Sequence, residues 1–176
     1  MKAKEIKLLI MDCDGVFSDG IIAYDNHRVE SKNFSAKDGM GVMIAHSCHL
    51  LIGMITGRKS EVVAQRCEDL KFDYLYQGIW RKAAAVEEIL ADCKLSWENV
   101  AYIGDDWNDY PVIKRAGLTA APADAFDDFK EHVDYVCVRG GGKGAVREFI
   151  EYILKEQGRY EEVMDKFLAD LESIAD

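Results

Sequence analysis

The sequence of 176 residues lacks several features that would assign it to common protein classes. No run of about 18 apolar residues occurs, so we expect no membrane-spanning segment. Pro111 and Pro122 are the only prolines, and no low-complexity tract or linker divides the chain. Basic residues are outnumbered by acidic ones, 22 to 32, which gives a net charge of −10. We therefore expect no nucleic acid partner, because phosphate backbones select basic surfaces.

A paired set of cysteines is also missing. The chain has five cysteines, an odd number scattered through mostly apolar segments: Cys13, Cys48, Cys67, Cys93 and Cys137. This pattern is typical of buried, reduced thiols in a cytosolic protein. Residues 1–7 contain no signal-peptide core and lead directly into an apolar strand, so we expect a cytoplasmic location.

The residues that are present indicate one globular α/β domain. An apolar fraction of 49% in a chain of this length is enough for a sizeable core. Predicted strands cover residues 6–11, 50–55, 74–76, 100–104, 118–121 and 135–138. Predicted helices cover residues 38–48, 60–70, 82–93, 109–116 (closed by Gly117 as a C-cap) and 145–175 (broken at Gly158). Strands that alternate with helices predict a parallel sheet flanked by helices.

A hairpin interrupts this alternation after the first strand. Residues 20–24 and 28–34 are two strand-like runs, separated by the turn-forming residues 25–27. Such a hairpin is too small to bury its own faces. We therefore expect it to form a docking site for another subunit.

Four polar positions predict a common site. Asp12, Thr56 and Asp105 each follow a predicted strand, and Lys82 opens a predicted helix. Ligands of parallel sheets bind beyond the carboxyl ends of the strands, where these side chains converge. Acids at both ends of the series favour a hard metal ion, and the hydroxyl and lysine between them favour a bound phosphoryl group.

Charge suggests a role for each acid. Asp12 is the predicted nucleophile that forms an aspartyl-phosphate, and Asp14 is the predicted acid and base. Asp12 and Asp105 are predicted to bind Mg²⁺, with the backbone carbonyl of Asp14 as a third metal ligand. Asp106 and Asp109 are predicted to orient the loop or support the metal ligands.

Two further groups are assigned to the phosphoryl oxygens. Thr56 and nearby backbone N–H groups, including that of Gly57, are predicted to hold them at a helix N-terminus. Lys82 is predicted to neutralise developing charge and to restrain Asp12.

The pattern resembles the four motifs of the haloacid dehalogenase superfamily. Within it, the sequence is similar to the small capless phosphatases of 3-deoxy-D-manno-octulosonate 8-phosphate (KDO 8-phosphate). The similar stretches are residues 12–20, 38–41, 55–60, 76–78 with Lys82, 101–106 and 144–148. The resemblance implies a three-layer Rossmann-like fold in one capless domain, residues 1–176, with bound Mg²⁺.

The resemblance also implies an assembly and a pathway. Hairpins formed by residues 20–34 would meet at the centre of a homotetramer, in which a neighbouring subunit covers each site. The product would be the sugar acid of the lipopolysaccharide inner core. In relatives the C-terminal tail can close over an active site. For the tail of this chain, residues 158–176, closure and surface packing both stay open.

Arg58 favours a phosphorylated sugar acid as the substrate. Its guanidinium can form a forked pair with the carboxylate of a 2-keto sugar acid. Related phosphatases of nonulosonate 9-phosphates tend to carry an acidic residue at this position, so Arg58 favours the octulosonate. A nonulosonate 9-phosphate is the alternative substrate. Lys143 stands where family members often have arginine. Lysine keeps the positive charge for substrate binding but cannot form the forked pair that a guanidinium forms.

A receiver domain, which accepts a phosphoryl group on an aspartate without rapid release, is the alternative from another functional class.

Overall fold

A six-stranded parallel sheet forms the centre of the computed structural model, which describes residues 2–173. The strands are β1 (Leu8–Met11), β2 (Ala23–Tyr24), β3 (Glu30–Ser31), β4 (Leu51–Thr56), β5 (Tyr74–Gln77), β6 (Val100–Ile103), β7 (Leu118–Ala121) and β8 (Tyr135–Val136). The α-helices are α1 (Ala36–Ser47), α2 (Glu61–Asp69), α3 (Lys82–Cys93), α4 (Tyr110–Ile113), α5 (Asp127–Lys130), α6 (Ala145–Glu156) and α7 (Tyr160–Glu172).

Strand β1 lies in the middle of the sheet. The strand order is β5-β4-β1-β6-β7-β8, and each neighbouring pair is parallel. Leu8 lies opposite Leu51 of β4 on one side and Val100 of β6 on the other. The chain therefore changes direction across the sheet at β1, and a crevice opens at the carboxyl end of that strand.

Helices cover both faces of the sheet. Leu9 and Met11 pack into a core cluster with side chains of α1, α2, α6 and α7. Leu8 and Ile10 point to the opposite face and pack with α3, α4 and α5. Every residue of β1 is buried, which explains its uninterrupted apolar sequence. The predicted three-layer α/β fold is confirmed.

The predicted hairpin is present, but its strands are shorter than expected. Strands β2 and β3 have two residues each and form a separate antiparallel sheet. Asp25 shapes the turn, because its Oδ1 accepts hydrogen bonds from the backbone N–H groups of His27 and Val29, both at 2.8 Å. Ile21, Ile22 and Val29 are exposed, so these residues do not form a buried apolar face that would stabilise longer strands.

Asp38 connects two sequence motifs that lie more than 100 residues apart. Its buried carboxylate accepts hydrogen bonds from Gly144 N at 3.0 Å and Arg147 N at 2.9 Å. These N–H groups belong to the first turn of α6, where a carboxylate is favoured by the helix dipole. The contact fixes the glycine-rich loop before α6 beside α1.

The C-terminal tail packs on its own chain. Gly158, with φ of 68°, separates α6 from α7 as predicted. Val163 and Phe167 of α7 join the core cluster around α1, and Lys166 Nζ donates to Ser47 O at 3.1 Å. Residues 174–176 of the predicted tail, like Met1 of the predicted domain, lie outside the described residues.

The prediction of Gly117 as a helix C-cap is wrong. Helix α4 is a single turn, and the φ of Gly117 is not in the left-handed region. Gly117 N instead donates to Trp97 O at 2.9 Å, and a Cβ atom at this position would lie 2.3 Å from Glu98 O. Glycine is required here because two backbone segments approach closely.

Two findings concern thiols and membranes. All five cysteines are free, and four of them are buried. Within residues 2–173, no helix combines the length and apolar character that crossing a membrane requires.

Candidate active site

Asp12 lies at the carboxyl end of β1, where the chain turns sharply. Its buried carboxylate accepts a hydrogen bond from Cys13 N at 2.7 Å. Gly15 has φ of 83°, and a Cβ atom on it would lie 2.0 Å from Asp105 Oδ2. Glycine therefore permits both the turn and the close approach of Asp105 from the end of β6.

Lys82 connects two carboxylates beneath the surface. Its fully buried Nζ lies 2.8 Å from Asp12 Oδ2 and 2.6 Å from Asp109 Oδ1. Burial lowers the pKa of Lys82, but the charges of Asp109 and Asp12 outweigh it and raise the pKa above its usual value. Lys82 therefore stays an ammonium ion and holds Asp12 in place.

Asp109 anchors the loop between β6 and α4. It is fully buried, and its Oδ1 also accepts a hydrogen bond from the Tyr102 hydroxyl at 2.5 Å. Its Oδ2 accepts from Asp105 N at 3.1 Å. Asp109 thus positions the backbone of Asp105 as well as Lys82.

Three carboxylates converge at this edge of the sheet. Asp12, Asp105 and Asp109 each place one oxygen within 4.8 Å of the other two. Burial, together with Asp12 and Asp109, raises the pKa of Asp105 to about 8, and burial with Asp109 raises that of Asp12 to about 6. Among residues 2–173, no hydrogen bond or ion pair engages the Asp105 carboxylate. Carboxylate oxygens at this spacing, with those of Asp105 left without a partner, are a donor set that a hard divalent cation fits.

The side chain of Asp14 turns away from this cluster. Its Oδ1 forms an ion pair with Lys32 Nζ and accepts a hydrogen bond from Ser18 Oγ at 3.3 Å. Lys32 follows β3, and its side chain is fully buried. Lys32 was not predicted from the sequence, because a single lysine in a polar hairpin carries no recognisable motif.

Arg58 bridges the site and the hairpin. Its Nη2 donates to Tyr24 OH at 2.6 Å and to Glu30 Oε1 at 2.7 Å. Its Nε lies 3.7 Å from Asp14 Oδ2 and is buried without a hydrogen-bond partner among residues 2–173. The guanidinium thus borders Asp14 while part of it is already bound by the hairpin.

A cavity of about 390 Å³ opens above these groups. It is lined by Asp12, Asp14, Ile22, Gly57, Arg58, Trp80, Asp105, Asp106, Trp107 and Asn108. Ile22, Trp80 and Trp107 give it an apolar rim over a charged floor. A larger cleft of about 530 Å³ lies between α1 and α6, but its Arg147 is paired with Glu151, and within the described part of the chain no cluster of three acids lines it.

The other predicted residues take separate positions. Thr56 is buried at the end of β4, and its Oγ1 accepts a hydrogen bond from Arg58 N at 3.4 Å. Asp106 Oδ1 accepts from Trp107 N at 2.7 Å and so shapes the rim. Lys143 does not line the cavity; its exposed Nζ lies 3.3 Å from Asp124 Oδ2.

Comparison with known proteins identifies the class. A family model of haloacid dehalogenase-like hydrolases matches residues 55–150, more than half of the chain. The 3-deoxy-D-manno-octulosonate 8-phosphate phosphatase KdsC of Escherichia coli (strain K12) is 43% identical over 161 residues, which cover 92% of this chain and 86% of the relative. The fold, the acid cluster and this match together define a haloacid dehalogenase-like hydrolase.

Solved structures narrow the assignment. The crystal structure of the same phosphatase from Yersinia pestis superposes with a TM-score of 0.89 at 41% identity, covering 91% of this chain and 86% of that one. The enzyme from Moraxella catarrhalis, solved with magnesium ion, phosphate ion and KDO, gives a TM-score of 0.90 at 34% identity, covering 94% and 95%. The chain belongs to the 3-deoxy-D-manno-octulosonate 8-phosphate phosphatase family.

Proposed function

We propose that the protein is a Mg²⁺-dependent phosphatase that hydrolyses KDO 8-phosphate to KDO and phosphate. The observation that carries this proposal is the cluster of Asp12, Asp105 and Asp109 at the edge of the sheet where β1 ends, with the buried Lys82 in contact with Asp12 and Asp109. The near-full-length similarity to KDO 8-phosphate phosphatases supports the substrate. It also favours hydrolysis over the signalling role of a receiver domain.

Asp12 is the nucleophile of this proposal. Its carboxylate lies at the floor of the cavity, held by Cys13 N on one oxygen and by Lys82 on the other. These contacts leave little rotational freedom, so the carboxylate is preorganised for attack on phosphorus. The product of that attack is an aspartyl-phosphate, which water then hydrolyses.

The metal site uses the same acids. Asp12 and Asp105 are the proposed side-chain ligands, with the backbone carbonyl of Asp14, while Asp109 and Asp106 support the loop. When bound, Mg²⁺ supplies positive charge for the phosphoryl oxygens and offsets the repulsion between the acids and the substrate. The high pKa of Asp105 is consistent with a carboxylate that needs such an ion to stay charged.

Asp14 is the proposed acid and base. Its side chain lines the cavity beside Asp12, so a leaving oxygen and a later water molecule can both reach it. Its proton goes to the leaving oxygen in the first step, and it accepts a proton from water in the second.

Cations and N–H groups bind the rest of the substrate. Thr56, the backbone of Gly57 and Lys82 are assigned to the phosphoryl oxygens. Arg58 borders the cavity and is assigned to the carboxylate of the sugar acid. Lys143 lies outside the cavity, so its contact with substrate requires either a loop movement or a neighbouring subunit.

The exposed hairpin favours assembly into a tetramer, which we place in the cytoplasm. Residues 20–34 expose Ile21, Tyr24 and Val29, an apolar set that a second copy of the hairpin could cover. Ile22 of the hairpin lines the cavity, which is open to solvent, as expected for a capless domain that a neighbouring subunit completes. In this setting the reaction supplies KDO for the lipopolysaccharide inner core.

A phosphate-release screen tests the substrate assignment. The panel contains KDO 8-phosphate, nonulosonate 9-phosphates and hexose phosphates, each assayed with Mg²⁺ and with EDTA. We expect KDO 8-phosphate to give the highest kcat/KM and EDTA to abolish release. A preference for a nonulosonate 9-phosphate would make that compound the assigned substrate. Labelling of the protein by one phosphoryl group without release of phosphate would support a receiver domain instead.

A further inference from the structure

The hairpin is joined to the loop of residues 12–18 by charged and polar side chains. Its apolar residues Ile21, Tyr24 and Val29 point largely to solvent, and its two strands are only two residues long. Lys32 contacts Asp14, and Asn33 Nδ2 donates to Asp19 Oδ2 at 2.8 Å. These polar contacts, together with the bridge between Ser18 and Phe34 and the packing of the Phe34 ring on Phe17, set the position of the hairpin relative to this loop.

Lys32 is the unusual member of this set. Its side chain is fully buried, and its ammonium contacts Asp14 Oδ1 directly and lies 3.8 Å from Glu30 Oε1. A buried ammonium costs several kcal/mol unless it is paired, so this contact constrains both partners strongly. Lys32 and the Ser18 hydroxyl together occupy Oδ1 of Asp14. Oδ2 accepts no hydrogen bond among residues 2–173, and Arg58 Nε lies 3.7 Å from it.

We propose that Lys32 is a positioning residue that orients Asp14 for proton transfer. This inference rests on the proposed function, in which Asp14 is the acid and base. By holding Oδ1, Lys32 presents the other oxygen to the cavity and keeps the carboxyl group clear of the cluster around Asp105. The hairpin thereby acts on catalysis within its own subunit, in addition to any part it plays in assembly.

The chemistry of the first step separates this role from a structural one. A bond forms between Asp12 and phosphorus as the bond from phosphorus to the leaving oxygen breaks. The proton of Asp14 passes to that oxygen. An alkoxide leaves poorly without this proton, whereas p-nitrophenolate is a stable anion that leaves without it. Loss of Asp14 orientation must therefore slow alkyl esters more than p-nitrophenyl phosphate.

The test compares benzyl phosphate, the ester of an alkyl alcohol, with p-nitrophenyl phosphate, the ester of a phenol, at saturating Mg²⁺. Both carry one aromatic ring and are similar in size. For Lys32→Met we expect kcat/KM for the benzyl ester to fall about 10- to 100-fold more than for the nitrophenyl ester. This constant reports the steps up to release of the alcohol. Lys32→Arg keeps a cation and should recover most of the benzyl activity.

Asn33→Ala is the matched control, because it removes a different polar contact of the hairpin and leaves the contact between Lys32 and Asp14 in place. We expect it to leave the ratio of the two constants unchanged. Melting temperature and sedimentation show whether each variant is folded and assembled. Lys32→Gln gives the same comparison if Lys32→Met does not fold.

Equal losses on both esters, or the same change of ratio in Asn33→Ala, would overturn the positioning role. A wild-type enzyme that releases phosphate from neither ester, nor from any sugar phosphate in the screen above, would instead contradict the proposed function. The two failures are therefore distinguishable.

Discussion

Lys82 Nζ lies 2.6 Å from Asp109 Oδ1, and neither side chain is accessible to solvent. The ammonium also contacts Asp12 Oδ2 at 2.8 Å, so one cation serves two buried carboxylates. A buried charge that loses its partner is far more costly than an exposed one. Lys82 is therefore a determinant of stability, in addition to the catalytic role proposed for it.

Removing this ammonium should destabilise the fold. Lys82→Met leaves Asp109 and Asp12 without a cation, and we expect the free energy of unfolding to fall by about 3–5 kcal/mol. Urea denaturation followed by circular dichroism measures it. Lys2→Met is the matched control, because Lys2 Nζ lies at the same 2.6 Å from Asp134 but is 61% exposed. A cost of about 0–1 kcal/mol is expected there, and equal costs would contradict the role assigned to burial.

Asp12→Asn should abolish turnover while leaving the fold and the assembly intact. The amide keeps the shape of the carboxylate and an oxygen for Cys13 N, but it is not a nucleophile toward phosphorus. We expect kcat to fall by at least about 10³-fold. Steady-state phosphate release gives kcat, and sedimentation velocity gives the assembly. Near-normal turnover by this variant would remove Asp12 from the role of nucleophile.

The layers of the fold could be predicted because they follow from local patterns. The continuous apolar run of β1 and the alternation of strands and helices both require a buried parallel sheet. The positions of Asp12, Thr56 and Asp105 at strand ends followed from the same patterns. Convergence of Asp12 and Asp105 needed only the rule that parallel strands end on one edge.

Other features depend on contacts between distant segments that no local pattern encodes. The burial of Lys32 arises because the hairpin folds back onto the loop of residues 12–18. Asp109 was predicted only as a supporting residue, yet it binds Lys82, Tyr102 and the backbone of Asp105. Gly117 was assigned from its place after a helix, while its actual constraint comes from the approach of Glu98.

The stability of the metal-free protein should fall as pH rises. The pKa of Asp12 is raised from 3.8 to about 6 and that of Asp105 from 3.8 to about 8. Between about pH 4 and pH 8 the native state therefore binds more protons than the unfolded state, so the free energy of unfolding decreases with pH. Mg²⁺ should reverse the loss, because it binds the deprotonated native carboxylates.

Melting temperatures in EDTA and in Mg²⁺ across this pH range provide the measurement. Asp105→Asn is the control, since it removes the group with the larger shift. Its melting temperature in EDTA should depend less on pH than that of the wild type. If the melting temperature in EDTA fell equally with pH in the wild type and in Asp105→Asn, the assignment of this pH dependence to Asp105 would be contradicted.

Arg58→Ala should affect the sugar-acid phosphate selectively. Loss of a forked charge pair with the substrate carboxylate should raise KM for KDO 8-phosphate about 10- to 100-fold. The KM of p-nitrophenyl phosphate, which has no carboxylate, should change little. Because Arg58 also binds the hairpin through Tyr24, Tyr24→Phe serves as the control for hairpin contacts. Equal effects of Arg58→Ala on both substrates would exclude a carboxylate contact.

Trp107 should contribute to binding of the sugar chain. It lines the cavity, is 48% exposed, and is held edge-on by three rings: Tyr110 at 5.6 Å, Phe129 at 6.1 Å and His132 at 5.4 Å. A side chain held in this way presents apolar surface at little entropic cost. Trp107→Ala should therefore raise KM for KDO 8-phosphate about 5-fold, equivalent to about 1 kcal/mol, with kcat nearly unchanged.

Fluorescence gives a readout of this contact that does not depend on turnover. Because Trp80 also lines the cavity, the measurement is made in a Trp80→Phe background. KDO should change the tryptophan emission of that background, and adding Trp107→Phe should remove most of the change while the KM stays below that of Trp107→Ala. Trp97→Phe is the matched control, because Trp97 does not line the cavity and its ring lies under Arg115, 4.1 Å from Cζ. An emission change that survives in Trp107→Phe and disappears in Trp97→Phe would place the sugar away from this rim.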